Sequence, residues 1–279
     1  MITSSHNQQI KQILQLQKKA KARWQQRVFV VEGPKLVFEA PPERIVRLYV
    51  SESFYTQEKQ RVRIGLLGCE VEIVSDAVFR MISDTQTPQG ILAVVKMVEW
   101  QLEDLLPAGS AGADQRNDNR SSGTGIAGAP HLLVLENIQD PGNLGTMLRT
   151  GEGAGISGIV MNRETADLYN PKTIRATMGS IYRVPCCIVE HLKQAVGVIQ
   201  EAQVAVYAAH LNGSVSYDQP DYRGGCAFLI GNEGSGLSPE LAALADGRIR
   251  IPMEGKVESL NAAIAATLLM YEAKRQRRK

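Results

Sequence analysis

The chain has 279 residues, 44% hydrophobic and 22% charged, with a formal net charge of +2. That length supports two ordinary domains with a core each, and the charge falls short of the strongly basic balance that by itself indicates nucleic acid. Four cysteines (Cys69, Cys186, Cys187, Cys226) form no CxxC pair and four histidines (His6, His131, His191, His210) no HExxH or HxxxH spacing, so neither a disulfide framework nor a metal site is expected. No apolar run is long enough to span a bilayer and the first residues lack a signal-peptide core, so a cytoplasmic protein without a membrane partner is expected.

A helix is predicted over 7–21, with Ile10, Ile13, Leu14 and Leu16 turned to one side. Apolar runs over 29–33, 44–50, 69–74 and 90–96 read as strands, with helices over 35–40 and 76–82 between them. This predicts a small α/β domain over 1–98. From Pro107 to Pro130 the composition turns to Gly, Ala, Ser, Asn and Asp, and 99–130 reads as a flexible linker. Over 131–279 the runs HLLVLE, GIVM, VPCCIVE, QVAVYAA and CAFLIG alternate with helices beginning near Leu144, Pro171, Leu192, Pro239 and Leu260. Asn170 and Ser238 are cap residues before a proline, and Ser259 can cap the last helix. Such alternation implies a mostly parallel sheet covered by helices, with ligands beyond the carboxyl ends of its strands. Basic residues gather at both ends, as Lys18, Lys19, Lys21, Arg23 and Arg27 and as Lys274, Arg275, Arg277, Arg278 and Lys279, either as solvated faces or as local RNA surfaces.

A GxGxxG occurs at Gly153, Gly155 and Gly158, but it follows a helix and leads into a strand, the reverse of a dinucleotide fingerprint; it reads as a helix end and turn. No Walker A lysine pattern and no GxSxG elbow is present. Three segments stand out. In LENIQDPGNLGTMLRT, a strand ends in a Pro141-Gly142 turn and Asn143 stands at a helix start, with Arg149 two turns on; alone, these are a cap and a surface charge. In FLIGNEGSGLSPEL, glycines at 231, 234 and 236 surround Asn232 and Glu233, as a ligand loop or a plain turn would have them. In IRIPMEGKVESLNAAIAATLLMYEAKRQ, a strand and a glycine turn precede the Ser259-Leu260-Asn261 helix start, and the apolar stretch 262–271 reads as core or subunit interface.

In order, spacing and wording, NLGTMLRT, GNEGSGLS and IPMEGKVESLN resemble the three signature motifs of the SpoU (TrmH-like) family of SPOUT methyltransferases. SSHNQQIKQILQLQKKAKAR, FVVEGPKLVFEA and SDTQTPQGILAVV resemble the L30e-like substrate-binding domain that many members carry. The resemblance implies a trefoil-knotted catalytic domain, an active site at a homodimer interface, and transfer of a methyl group from S-adenosylmethionine to an RNA ribose 2′-hydroxyl. Large-subunit (23S-type) ribosomal RNA is the expected substrate, with transfer RNA and a non-catalytic knotted RNA-binding scaffold as alternatives. By motif position it implies that Asn143, Arg149, Glu233, Ser259 and Asn261 line the acceptor side. The cofactor would lie against Ala209, Gly231, Glu233, Gly236, Ile251, Met253 and Leu260.

Overall fold

In the computed structural model, residues 1–107, 128–211 and 215–278 are described. The chain packs as two units, one of Met1–Val98 with Asp167–Tyr182, the other of Glu99–Ala166 with Arg183–Lys279.

In the first unit, Asn7 accepts the Gln9 N–H and starts α1 (Gln8–Lys18), whose Ile10, Ile13 and Leu16 are buried. The predicted helix breaks at Lys19, which is extended, and the chain restarts as α2 (Ala20–Gln26). There follow β1 (Val28–Glu32), α3 (Pro34–Glu39), β2 (Ile45–Ser51), α4 (Glu52–Tyr55), α5 (Glu58–Gly65), β3 (Val71–Val74), α6 (Asp76–Ile82) and β4 (Ile91–Lys96). The sheet order is β1-β4-β2-β3, with β4 antiparallel to both neighbours and β2 parallel to β3. The faces of α1 and α6 close this sheet with Ile10, Ile13, Leu16, Phe79 and Ile82. Arg23, expected in a basic surface, is instead 2% exposed. It pairs with Asp167 and donates to the carbonyl of Gln17 at 3.0 Å, since a guanidinium removed from water needs a charge and acceptors around it.

The second unit begins earlier than the composition suggested. Residues 99–107, assigned to the linker, contain a 3-10 turn (Leu102–Leu105), and Leu102, Leu105 and Leu106 are buried in the core. Burying each leucine is worth about 1.5–3 kcal/mol, which offsets part of the cost of ordering the segment. Linker positions 108–127 lie outside the described residues. The chain continues through β5 (His131–Leu135), α7 (Pro141–Ala154) and β6 (Gly158–Asn162). Gly155 ends α7 at φ 78°, a left-handed position that glycine adopts without strain, and Gly158 opens β6, as expected of a helix end and turn.

After Ala166 the chain passes into the first unit, where Tyr169 packs on Phe29 and Trp24 with ring centroids 4.7 and 5.5 Å apart, and α8 (Pro171–Thr177) follows its Asn170 cap. It returns as β7 (Cys186–Val189), α9 (Leu192–Glu201), β8 (Ala205–Ala209), β9 (Val215–Ser216), β10 (Cys226–Ile230), α10 (Pro239–Ala242), β11 (Gly247–Arg250) and α11 (Ala262–Arg277). Every pairing in this sheet is parallel, in the order β7-β6-β5-β10-β8-β11-β9. Several of the tail cations are structural. Arg277 donates to the carbonyls of Ala129 at 2.9 Å, Pro130 at 3.0 Å and Tyr222 at 2.8 Å, and Arg275 pairs with Glu272 at 2.7 Å.

Candidate active site

Strands β5, β10, β8 and β11 are consecutive neighbours in a parallel sheet, so the loops after them leave from one edge. The first of these loops runs into α7, which starts at Pro141 rather than near Leu144. Asp140 is its cap, accepting the Asn143 N–H at 3.1 Å, with proline at the first helical position. Asn143 is thereby relieved of the capping role that its place in the sequence suggested. Its side-chain amide donates to Glu233 Oε1 at 2.9 Å, and its Oδ1 accepts from the Asn261 amide at 3.0 Å. Because a carboxylate only accepts, Glu233 dictates which end of the Asn143 amide faces it, and through it the orientation of Asn261. Asn261, not Ser259, caps α11, its Oδ1 accepting from Ala263 N at 2.9 Å and Ile264 N at 3.3 Å.

Glu233 also accepts the backbone N–H groups of Gln139 at 2.9 Å and Asp140 at 3.1 Å. Burial pushes its pKa up, but the hydrogen bonds from Gln139, Asn143 and Asp140 outweigh that and hold the carboxyl below its ordinary value. The group is ionised and well supplied with donors. The loop that carries it is closed on itself: Asn232 N donates to the Gly236 carbonyl at 3.0 Å, Gly236 N to the Asn232 carbonyl at 2.9 Å, and the Asn232 side chain accepts from Gly234 N at 2.9 Å. At Gly231 a Cβ would stand 2.2 Å from the backbone of Gly236 and Leu237, so no other residue fits there without moving the loop.

Sequence reasoning missed the residues that hold this arrangement from behind. Asn137, in left-handed backbone at φ 56°, donates its N–H to Asn162 Oδ1 at 3.0 Å and accepts at its own Oδ1 from the Asn162 amide at 2.6 Å. Its carbonyl accepts from the Asn232 amide at 2.8 Å and from Gln139 Nε2 at 3.0 Å. Asparagine tolerates the left-handed region and offers both a donor and an acceptor, which is why it serves here. The partners lie 25 and 95 positions apart in the chain, and no local pattern announces such pairs.

The structure does not bring every expected residue together. Arg149 lies on α7, exposed, six positions after Asn143 and so about 240° around the helix from it, and among the described residues it has no protein partner. Ser259 is exposed and outside the hydrogen-bonded cluster. Ala209 ends β8, Gly231 follows β10 and Ile251 follows β11, three adjacent strands, so these positions line up along the same edge. Gly236 closes the Glu233 loop, and Met253 and Leu260 are half-buried in the stretch 251–261, which has neither helix nor strand. With Leu211 63% and Val257 61% exposed nearby in sequence, this edge offers apolar side chains beside backbone polar groups, the lining that small-molecule sites use. Among the described residues no cluster of metal-ligating side chains occurs, and no helix is long and apolar enough to cross a membrane.

Three segments far apart in the chain thus meet through Asn143, which bonds both Glu233 and Asn261, and comparison with known proteins gives that convergence a family. The model of the SpoU rRNA methylase family matches residues 130–271. The chain belongs to this family. An MRM3-like substrate binding domain matches residues 7–93. Among SpoU relatives, the 23S rRNA (guanosine(2553)-2'-O)-methyltransferase RlmP of Bacillus subtilis (strain 168) is 31% identical over 271 residues, 97% of each chain. The crystal structure of an AdoMet-bound rRNA methyltransferase from Sinorhizobium meliloti superposes with TM-score 0.82 at 32% identity, over 98% of this chain and 97% of that one. AviRb from Streptomyces viridochromogenes, a SpoU methyltransferase solved with AdoMet, shares the fold at TM-score 0.84 and 22% identity, over 98% of each chain.

Proposed function

We propose that this chain is an S-adenosylmethionine-dependent 2′-O-ribose methyltransferase acting on large-subunit ribosomal RNA as a homodimer. The carrying observation is the meeting of the three SpoU motif segments through Asn143, Glu233 and Asn261 at the carboxyl edge of the parallel sheet. The edge fits the cofactor: Ile251, Met253 and Leu260 supply apolar walls, and the ends of the strands at Ala209 and Gly231, with the closed loop through Glu233 and Gly236, supply backbone groups. When bound, S-adenosylmethionine supplies a methyl group activated on a positively charged sulfur.

The chain's own task is to place a ribose hydroxyl in line and to keep the site ordered. Glu233, ionised and already accepting from three donors, is a weak base; its work is to hold Asn143 and the loop 231–236. Arg149 presents N–H donors and no acceptor; its directed donors suit the RNA phosphate or the hydroxyl oxygen itself. Ser259 and Asn261 stand on the acceptor side. Ile264 and Tyr271, 50% and 41% exposed and seven positions apart on one face of α11, support the dimer. The trefoil knot belongs to the same reading. It is supported by the order β5-β10-β8-β11, in which the chain returns to the sheet's interior after its outer strands are laid down.

The test is transfer of radiolabelled methyl from S-adenosylmethionine to RNA from a strain lacking the gene, with wild type and Arg149→Ala side by side. Label at a 2′-O position in large-subunit RNA, reduced at least about 100-fold in the variant, is expected. Label in transfer RNA would change the substrate, and none in any RNA would overturn the reading. Arg149→Lys separates the two roles of the side chain: the pH-rate profile keeps its shape if Arg149 positions, and loses an ionisation if Arg149 removes the proton.

A further inference from the structure

The first unit contains a cavity of about 400 Å³ that the methyl-transfer chemistry does not use, formed where the start of α4, the start of α6 and the turn before β4 come together. That volume lies within the range of small-ligand sites and suits one nucleotide. Its apolar walls are Phe54, Phe79 and Pro88, and its polar groups include Ser53, Asp76 and Gln89, with Arg80 at its side. Phe54 and Phe79 are 6% and 1% exposed, so the floor is fixed core. Arg80 and Gln89 are exposed and have no hydrogen-bond or ion-pair partner among the described residues.

The polar lining has a definite chemistry. Ser53 donates both its hydroxyl, at 2.8 Å, and its N–H, at 3.2 Å, to Asp76 Oδ1, and the hydroxyl's hydrogen bond holds that carboxyl below its ordinary value. An ionised carboxylate has room for more donors than these, and it selects groups that carry N–H. The Gln89 amide both gives and takes hydrogen bonds, as reading the edge of a base requires. The walls are also held before any ligand arrives. Glu32 accepts from Thr85 Oγ1 at 2.9 Å, from Asp84 N at 2.9 Å and from the Ser83 hydroxyl, and Arg175 pairs with Asp84, so the turn leading to Gln89 is tied down at several points. A site fixed in advance loses less free energy on binding than one that must order itself.

We propose that this cavity receives one unstacked nucleotide of the RNA substrate, its base set between the phenylalanine floor and the Gln89 turn with an N–H-bearing edge toward Asp76 and its phosphate toward Arg80. This rests on the RNA methyltransferase reading and adds where the first unit holds its substrate. Sequence-selective RNA recognition generally takes splayed-out bases of loops and bulges, because the grooves of an A-form helix hide them. The matched substrate binding domain includes every residue of the lining.

The experiment measures affinity for large-subunit ribosomal RNA from a strain lacking the gene, by filter binding, and affinity for S-adenosylmethionine by calorimetry, on the full chain. Ser53→Phe fills the cavity from an exposed position, Arg80→Ala removes the cation, and Arg80→Lys keeps it; melting curves check that each is folded. The expected result is RNA affinity reduced at least about tenfold in Ser53→Phe and severalfold in Arg80→Ala. Arg80→Ala should also show a shallower salt dependence, by about one phosphate contact, Arg80→Lys should be near wild type, and cofactor affinity should change by less than twofold. RNA affinity within twofold of wild type in Ser53→Phe, or no RNA binding by the wild type, overturns the proposal. Methyl transfer by the wild type is scored separately: transfer with undisturbed binding in Ser53→Phe sinks the cavity alone, and binding without transfer sinks the methyltransferase reading alone.

Discussion

Glu233 accepts hydrogen bonds from Gln139 N, Asp140 N and the Asn143 amide, so exchanging it for glutamine sets an amide N–H donor against a donor and leaves both unpaired. Glu233→Gln should lower methyl transfer at least about tenfold with the fold intact. Its effect on stability should also depend on pH. The carboxyl's folded value is held below the unfolded one of about 4.3, so its contribution is complete above about pH 4.3 and is lost as the pH falls through the folded value. Melting curves of wild type and variant should therefore converge in acid; a gap that does not narrow as the pH falls below about 4.3 would assign the difference to packing. His131 works in the same direction by another cause. It is 1% exposed, packs edge-on against Phe228, and is pushed to about 3, by burial first and then by Arg277. Neutral when folded and protonated when unfolded below about 6.5, it should cost roughly 1.4 kcal/mol of stability per pH unit as pH falls from about 6.5 toward 3. His131→Phe should flatten that slope in pH-dependent melting; an unchanged slope would show that other groups carry it. At this scale the resemblance pointed to Asn143, Glu233 and Asn261. It did not reach Asn137 and Asn162, whose roles come from contacts across the sheet rather than from neighbours in the chain.

Local chemistry placed most elements. The prolines after Asn170 and Ser238 start α8 and α10 as read, and α6 runs over the predicted 76–82. The differences lie where two residues competed for one role. Asp140 outcompetes Asn143 as the cap of α7, and Asn261 outcompetes Ser259 at α11, because in each case the better placed side chain reaches two backbone N–H groups. The loop between β10 and α10 is the element whose shape matters most to the site, and its glycines are not equivalent. Gly231→Ala puts a Cβ 2.2 Å from backbone, whereas Gly234→Ala meets only the Asn232 side-chain oxygen at 3.5 Å. Gly231→Ala should weaken S-adenosylmethionine binding more than tenfold in calorimetry and Gly234→Ala by less than threefold. Equal losses would mean that the loop's own closure does not shape the cofactor site.

For the whole molecule, the proposed dimer predicts a particle of twice 30.5 kDa by light scattering. Ile264→Asp with Tyr271→Asp should give a monomer that has lost methyl transfer; a monomeric wild type, or a fully active monomeric variant, would refute a shared site. Removing residues before about Glu99 would not cleanly isolate what the first unit does, because 167–182 packs with it. Tyr169 and Asp167 would lose Phe29, Trp24 and Arg23, and the segment 167–182 would be left without its packing. Much was decided by the chain alone: the α/β class, the parallel sheet, the family, and three motif segments around named polar residues. These are legible because they are written in short-range periodicity, in cap and turn chemistry, and in contiguous motifs. Only the tertiary structure decided that 99–107 is core rather than linker, that 167–182 packs with the first unit, and that Arg23 and Arg277 are tied into the fold. It also decided that Asn137, Asn162 and Asn232 stand behind the Glu233 carboxylate. The reason is common to all of these: a leucine, an arginine or an asparagine looks the same in sequence whether it faces water or a partner. Which of the two it meets is determined by residues brought beside it only when the sheet closes.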